Sequence, residues 1–314
     1  MGGVLGEIAG WFARVGDELG RVSPGALLAA VALQTLIAGL NALAWRNILR
    51  AAYPAGGVRY PPVFGVYAGG DALNHVLPAQ AGTVAMLGLL RGMVPGSTVP
   101  GLLGAQVVQT LFYGAAGAAV YAFLFTTFPG ASEVHFSALL DRPALAAALA
   151  LAAAAAGLVV ARLLRRRLRR ALADAREGAA ILRSPRRYAA GVLLPQLAAW
   201  TTRLALVAVL MRAYGVPVSP RTVFLVVAVM SVSTLVAVTP GGVGTQQALA
   251  AVVLADVAPT ATVAAYSLGQ QAILTAWNVA LGAVALAATI GWGGTRGLIR
   301  EQWALARGRG PADR

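Results

Sequence analysis

The chain has 314 residues, 58% hydrophobic and only 11% charged, with a mean hydropathy of +0.72 and a formal net charge of +14. That leaves too little polar residue to coat a soluble globule and points to a polytopic membrane protein. Cysteine is absent and histidine occurs only at His75 and His135, which excludes disulfides, thiol catalysis and a Cys- or His-built metal site, so no metal or cofactor is expected.

Residues 1–24 mix Trp11, Phe12, Val15 and Leu19 with Arg14, Asp17, Glu18 and Arg21. The segment is too polar to span and reads as an interfacial amphipathic helix. It lacks a basic start followed by an apolar core, so no cleavable signal peptide is expected.

Apolar windows follow at 25–49, 62–90, 98–127, 143–164, 188–212, 221–256 and 260–290. Each reads as helix, because strands of a membrane barrel would alternate polar and apolar residues. The windows 62–90 and 221–256 are interrupted. The expected fold is therefore an all-α polytopic membrane protein with about five full spans plus two broken or re-entrant helical hairpins.

Between the fourth and fifth windows, residues 162–187 carry arginine at 162, 165, 166, 167, 169, 170, 176, 183, 186 and 187 against the acids Asp174 and Glu177. This stretch is expected to be a cytoplasmic loop resting on anionic inner-leaflet lipids and joining two halves, about 25–161 and 188–290, of one transmembrane domain, 25–290. No aromatic residues interleave with the arginines as stacking platforms, so nucleic acid is not an expected partner. Residues 291–314, with Arg296, Arg300, Arg307 and Arg309, form a basic C-terminal tail on the same side. Counting spans from that anchor puts both ends of 62–90 inside and both ends of 221–256 outside, in a multi-pass protein of the cell inner (plasma) membrane.

The two interruptions match. ALNHVLPAQAGTVAMLGLL (72–90) lies over TLVAVTPGGVGTQQALAAV (234–252) without a gap, setting Pro78 on Pro240, Gly82 on Gly244 and Thr83 on Thr245. GGVGT is no phosphate-binding P-loop, because that loop needs a lysine and the chain has none. Proline removes a helical donor, glycines turn the chain without Cβ cost, and the hydroxyl of Thr83 or Thr245 is placed to cap the next helix. Such paired broken helices in inverted halves mark a transporter's substrate site, with helix N-termini aimed at an anionic group.

Three elements carry a family resemblance: N-x-x-L-P-x-x-x-G at Asn74–Gly82, V-T-P-G-G-V-G at 238–244 and A-W-R-N-I-L-R at 44–50. Over about residues 26–290 the chain resembles the membrane domain shared by lysylphosphatidylglycerol synthases and their stand-alone relatives. The resemblance implies a flippase-like domain that moves a lipid, such as an aminoacylated phospholipid or a polyprenyl-phosphate glycolipid, between leaflets. The soluble aminoacyl-transferase domain is absent from these residues, so synthesis is not implied. Family members usually bear Glu after the first P-x-x-x-G and an Arg shortly beyond, where this chain has Thr83 and Met86, and a Glu after the second element, where it has Gln247. They also commonly begin with one more membrane helix.

Charges within the predicted spans are few. Asp71, Asn74 and His75 share one face of the first broken helix by their spacing, and Arg203 sits well inside window 188–212. Either Asp71 and Arg203 pair or reach an interface, or Arg203 receives a lipid phosphate while Asp71 and His75 respond to protons. Gln34, Gln106, Gln109, Gln196, Gln246, Gln247, Gln270 and Gln271 all fall within membrane segments and suit hydrogen bonds between helices. Gln246 and Gln247 stand apart because they adjoin a helix N-terminus. The expected substrate-binding set is thus Asp71, Asn74, His75, Thr83, Arg203, Pro240, Gly241, Gly242, Gly244, Thr245, Gln246 and Gln247, around an anionic, phosphate-bearing headgroup. No Ser/His/Asp set, H-E-x-x-H or acidic pair is present, so an enzyme is not expected; a membrane-embedded lipid-modifying enzyme and a non-catalytic scaffold are the alternatives.

Overall fold

The computed structural model describes residues 22–76, 81–127, 165–235 and 245–306, and every regular element among them is helical. In chain order these are α1 (Pro24–Ala52), α2 (Tyr60–Val76), α3 (Ala81–Met93), α4 (Val99–Thr127), α5 (Arg165–Gly178), α6 (Pro185–Ala213), α7 (Pro220–Leu235), α8 (Thr245–Val253) and α9 (Thr260–Ala306). Four of the described helices are long and apolar enough to cross a membrane, over Pro24–Ala52, Val99–Val120, Pro185–Ala213 and Thr260–Gly291. They correspond to four of the five expected full spans. The fifth, 143–164, lies outside the described residues, as do residues 1–21.

Local sequence sets the helix ends. Pro24 opens α1, and Ser23 Oγ accepts from the Ala26 N–H at 3.4 Å. With 29 residues α1 is about 43 Å long, more than the roughly 30 Å hydrocarbon core. Gly291 interrupts α9 with φ 76° and ψ 161°, a conformation that costs glycine nothing. Beyond this kink the chain continues as helix to Ala306.

The arginine-rich connection expected at 162–187 is mostly helical where it is described. Residues 165–178 form α5, a short 3-10 turn covers Ala180–Arg183, and α6 begins at Pro185. The backbone of α5 lies directly on α4, with Gly101 against Gly178 and Gly104 against Ala175, where an added Cβ would strike main chain. Small residues thus bring the two helices together.

Each interrupted window contains two helices that pack against one another. Helix α2 packs antiparallel to α3, with Gly70 facing Gly82 and Met86 and with Asn74 facing Thr83. Helix α3, at 13 residues, is about 20 Å long, too short to cross alone. Helices α7 and α8 pack against one another in the second window. The turn between them, with Pro240, Gly241, Gly242 and Gly244, lies outside the described residues.

The two sequence halves are interleaved. Helix α6 of the second half lies along α1, and α9 lies along α2, where Gly65 meets Thr289 and Ala285 and Gly282 meets Ala68 and Ala72. Two apolar cores result. One gathers Ala30, Ile37, Leu206, Leu210, Val226, Leu254 and Ile273; the other gathers Trp45, Ile48, Leu90, Leu102, Val108 and Val192. Helices α1, α4 and α6 run through both, and the polar residues Asn41, Gln109 and Gln196 sit where they pass from one core to the other.

Helix α6 contains a π-helical turn, Ala189–Leu193, just before Pro195. Pro195 has no N–H to offer the carbonyl four residues back, that of Gly191. Asn47 of α1 donates to it instead, Nδ2 to oxygen at 2.8 Å. This explains a polar residue in the A-W-R-N-I-L-R run: in an apolar medium, a backbone acceptor released by proline must find a partner from another helix.

Candidate functional site

Two cavities, of about 360 and 670 Å³, lie side by side and share Asp71, Arg203, Val227 and Ser231 as lining residues. The smaller borders the first core through Leu206, Val207, Met230 and Leu274, and carries the amides of Gln34, Gln246, Gln270, Gln271 and Asn278 together with Thr275 and His75. The larger borders the second core through Trp45 and Met86, and carries Asn41, Asn74, Thr83, Gln106, Gln109 and four aromatic residues. Asp71 and Arg203 are the charged groups lining either cavity among the described residues, and no ion pair within 4.0 Å joins them. An arginine and a carboxylate that face shared polar space without pairing are each available to a ligand.

The polar side chains around this wall are organised by cross-helix hydrogen bonds. Gln34 Nε2 donates to Asn278 Oδ1 at 3.0 Å, Asn278 Nδ2 lies 3.2 Å from His75 Nε2, and His75 Nδ1 lies 2.9 Å from the Asp71 carbonyl oxygen. Trp277 Nε1 donates to Thr35 Oγ1 at 3.0 Å beside this chain, tying α9 to α1 twice. Around the larger cavity, Asn41 Oδ1 accepts from Tyr113 Oη at 2.7 Å and from Gln109 Nε2 at 3.4 Å, while Gln196 Nε2 donates to the Gln109 carbonyl. Gln247 Nε2 donates to Gln271 Oε1 at 2.7 Å, linking α8 to α9.

Of the residues singled out in the sequence, Asp71, His75, Arg203 and Gln246 come together on the smaller cavity, and Asp71, Asn74, Thr83 and Arg203 on the larger. The shared face of Asp71, Asn74 and His75 is therefore divided between two spaces. Thr83 lies within the first turn of α3 as described, from Ala81. Its N–H donates to Asn74 Oδ1 at 3.2 Å, and its Oγ1 accepts from Asn74 Nδ2 at 3.0 Å. The side chain of the preceding helix thus accepts an N–H at the start of α3. Thr245 is the first residue of α8, and Pro240, Gly241, Gly242 and Gly244 are not described.

The lining also includes residues that sequence reasoning passed over: Asn278, Asn41, Ser231, Trp45, Tyr67, Tyr113 and Trp200. Asn41 and Asn278 were detectable, since an asparagine within an apolar window needs a partner as much as a glutamine does. The aromatic residues gave no signal, because Trp and Tyr in a membrane helix are as compatible with packing as with a cavity.

The arrangement is that of a helical, multi-pass membrane protein whose polar interior lies between two apolar cores. A model of the lysylphosphatidylglycerol synthase TM region matches residues 4–300, nearly the whole chain, and the protein belongs to that family. No curated protein and no solved structure matches the chain.

Proposed function

We propose that the protein moves a phosphate-bearing lipid between membrane leaflets, without chemical change, by passing its headgroup through the two adjoining cavities. The observation that carries this reading is Arg203, a half-buried guanidinium in the middle of α6 that faces both cavities and is not in an ion pair. A charge held at such depth costs several kcal/mol unless a partner compensates it, and a phosphate is the partner to which a guanidinium fork is best matched. The cavities adjoin at the Asp71–Arg203 wall, so in this reading a headgroup held by the guanidinium passes from one to the other while its tails remain in lipid.

In this reading α2–α3 and α7–α8 are re-entrant hairpins that enter from opposite faces, supported by the short length of α3, by the antiparallel packing of the first hairpin and by the matched Pro and Gly positions. The arginines of α5 and the basic tail face the cytoplasm, against anionic lipid of the inner membrane. Purified protein reconstituted into liposomes with tail-labelled phosphatidylglycerol is expected to speed the label's exchange between leaflets, measured by its accessibility to an external reductant. Exchange no faster than in protein-free liposomes would rule the reading out.

A further inference from the structure

The hydrogen-bond chain at the edge of the smaller cavity runs in one direction. Gln34 Nε2 donates to Asn278 Oδ1, Asn278 Nδ2 lies 3.2 Å from His75 Nε2, and the Asp71 carbonyl oxygen, 2.9 Å from His75 Nδ1, can only accept. His75 therefore carries its proton on Nδ1, which leaves Nε2 as the one basic atom in the chain. Resting on the lipid-moving reading above, we propose that the smaller cavity binds a proton at His75 Nε2 together with the lipid phosphate.

The charges around the cavity support such a pairing. Beside His75, the charged groups that line it among the described residues are Asp71 of α2 and Arg203 of α6, while the residues that α1, α7, α8 and α9 contribute do not titrate. Helix α3 contributes none, its Arg91 standing in its last turn, and Tyr67 and Tyr113 line only the larger cavity. With His75 neutral, the Asp71 carboxylate and the Arg203 guanidinium cancel, so a phosphodiester would bring in a negative charge that nothing balances. A buried charge without a counterpart is costly. Protonated His75 supplies the missing positive charge.

The chain can also take up the proton without losing a hydrogen bond. A proton on Nε2 faces the Asn278 amino group, donor against donor, and a half-turn of that amide brings its Oδ1 to the imidazolium. Asn278 Nδ2 then faces Gln34, whose own half-turn presents Oε1 to it. The reversal turns the Gln34 amino group away from Asn278, on a side chain that lines the cavity. If protonation strengthens phosphate binding, phosphate binding strengthens protonation by the same factor, and affinity rises as the pH falls.

Binding at two pH values tests the proposal apart from movement. The purified protein in detergent is titrated with dioctanoyl-phosphatidylglycerol, whose phosphodiester keeps its charge throughout, at about pH 5.5 and about pH 7.5, either side of the range in which imidazole titrates. Affinity, taken from the shift in thermal unfolding, is expected to be about tenfold higher at the lower pH, the worth of one charge-assisted contact. His75→Gln is expected to bind equally at both, with the weaker affinity, and His135→Gln, which replaces the chain's other histidine, to keep the difference. Should His75→Gln not fold, nitrogen-15 spectra of the unaltered protein labelled at histidine decide the point, with His135→Gln assigning the two rings. At about pH 6.5, added lipid is expected to convert His75 from the Nδ1–H form toward imidazolium. Equal affinities, no binding at either pH, a difference that survives His75→Gln or vanishes in His135→Gln, or a His75 ring that lipid leaves unchanged overturns the proposal, even where lipid movement is observed. A pH difference lost in His75→Gln, in a protein that moves no lipid, upholds the proton site and removes the transport reading instead.

Discussion

Asn278 on α9 reaches His75 on α2, with Nδ2 3.2 Å from the ring Nε2, while its Oδ1 accepts from Gln34 of α1. The carbonyl of Asp71, 2.9 Å from His75 Nδ1, can only accept, so Nδ1 carries the proton and Nε2 accepts from Asn278. Each link in the chain then has one donor and one acceptor. Three helices are held in register at the edge of the smaller cavity.

Replacing Asn278 with Leu orphans both the Gln34 amide and His75 Nε2, at about 1–3 kcal/mol for each group left buried without a partner. Gln34→Leu removes one of those orphans. The double variant is therefore expected to lose less than the sum of the two single losses, as measured by unfolding in detergent. Strictly additive losses would mean that Asn278 does not couple these helices.

The pairing of Asn47 with Gly191 allows a test of a different kind, because its cause is a neighbouring proline. Asn47→Leu is expected to cost about 1–3 kcal/mol by leaving the Gly191 carbonyl short of a donor. Pro195→Ala restores a backbone N–H opposite that carbonyl. In the Pro195→Ala background, the Asn47 substitution is expected to be nearly neutral. An undiminished cost there would show that Asn47 acts through something other than this carbonyl.

How much of this was legible beforehand depended on chemistry that sequence exposes. The helical class, and four helices long and apolar enough to span, followed from uninterrupted apolar windows, and the antiparallel packing of α2 on α3 is in keeping with the break at Pro78 and Gly82, since the bilayer leaves the backbone few options. Asp71, His75, Arg203 and Gln246 were found because charge and amide groups are conspicuous in apolar sequence, and they meet on one cavity. Helix α5 was missed because an arginine run signals orientation and says little about local conformation. Its fit against Gly101 and Gly104 depends on a contact between distant parts of the chain. The pairing of Asn74 with Thr83 was missed for the same reason: it joins two helices across the break, and local spacing gives no sign of it.

That hairpin yields a contrast within a single helix. A Cβ on Gly82 would run into the Gly70 carbonyl and the backbone and side chain of Asn74, whereas one on Gly88 would meet nothing within 4 Å. Gly82→Ala is expected to destabilise the protein by about 1–3 kcal/mol, as overpacking does. Gly88→Ala in the same helix is expected to be neutral, or to stabilise by up to about 1 kcal/mol through helix propensity. Equal effects of the two changes on the unfolding midpoint would argue against close backbone approach as the reason for Gly82.

The last expectation concerns Asp71 and Arg203, which line the same two cavities without pairing. If the guanidinium serves a phosphate, Arg203→Gln should slow lipid exchange in liposomes about tenfold or more, the worth of one lost charge-assisted contact, without lowering the unfolding midpoint. Asp71→Asn should leave that deficit in place, because no mutual ion pair exists for it to relieve. A structural pair behaves differently: each single change strands a buried charge, both destabilise, and the double variant recovers stability and activity together. The discriminating result is therefore the double variant. Exchange that stays as slow as in Arg203→Gln alone supports a guanidinium reserved for the lipid, and recovery toward the unaltered protein assigns both residues to the architecture of the wall.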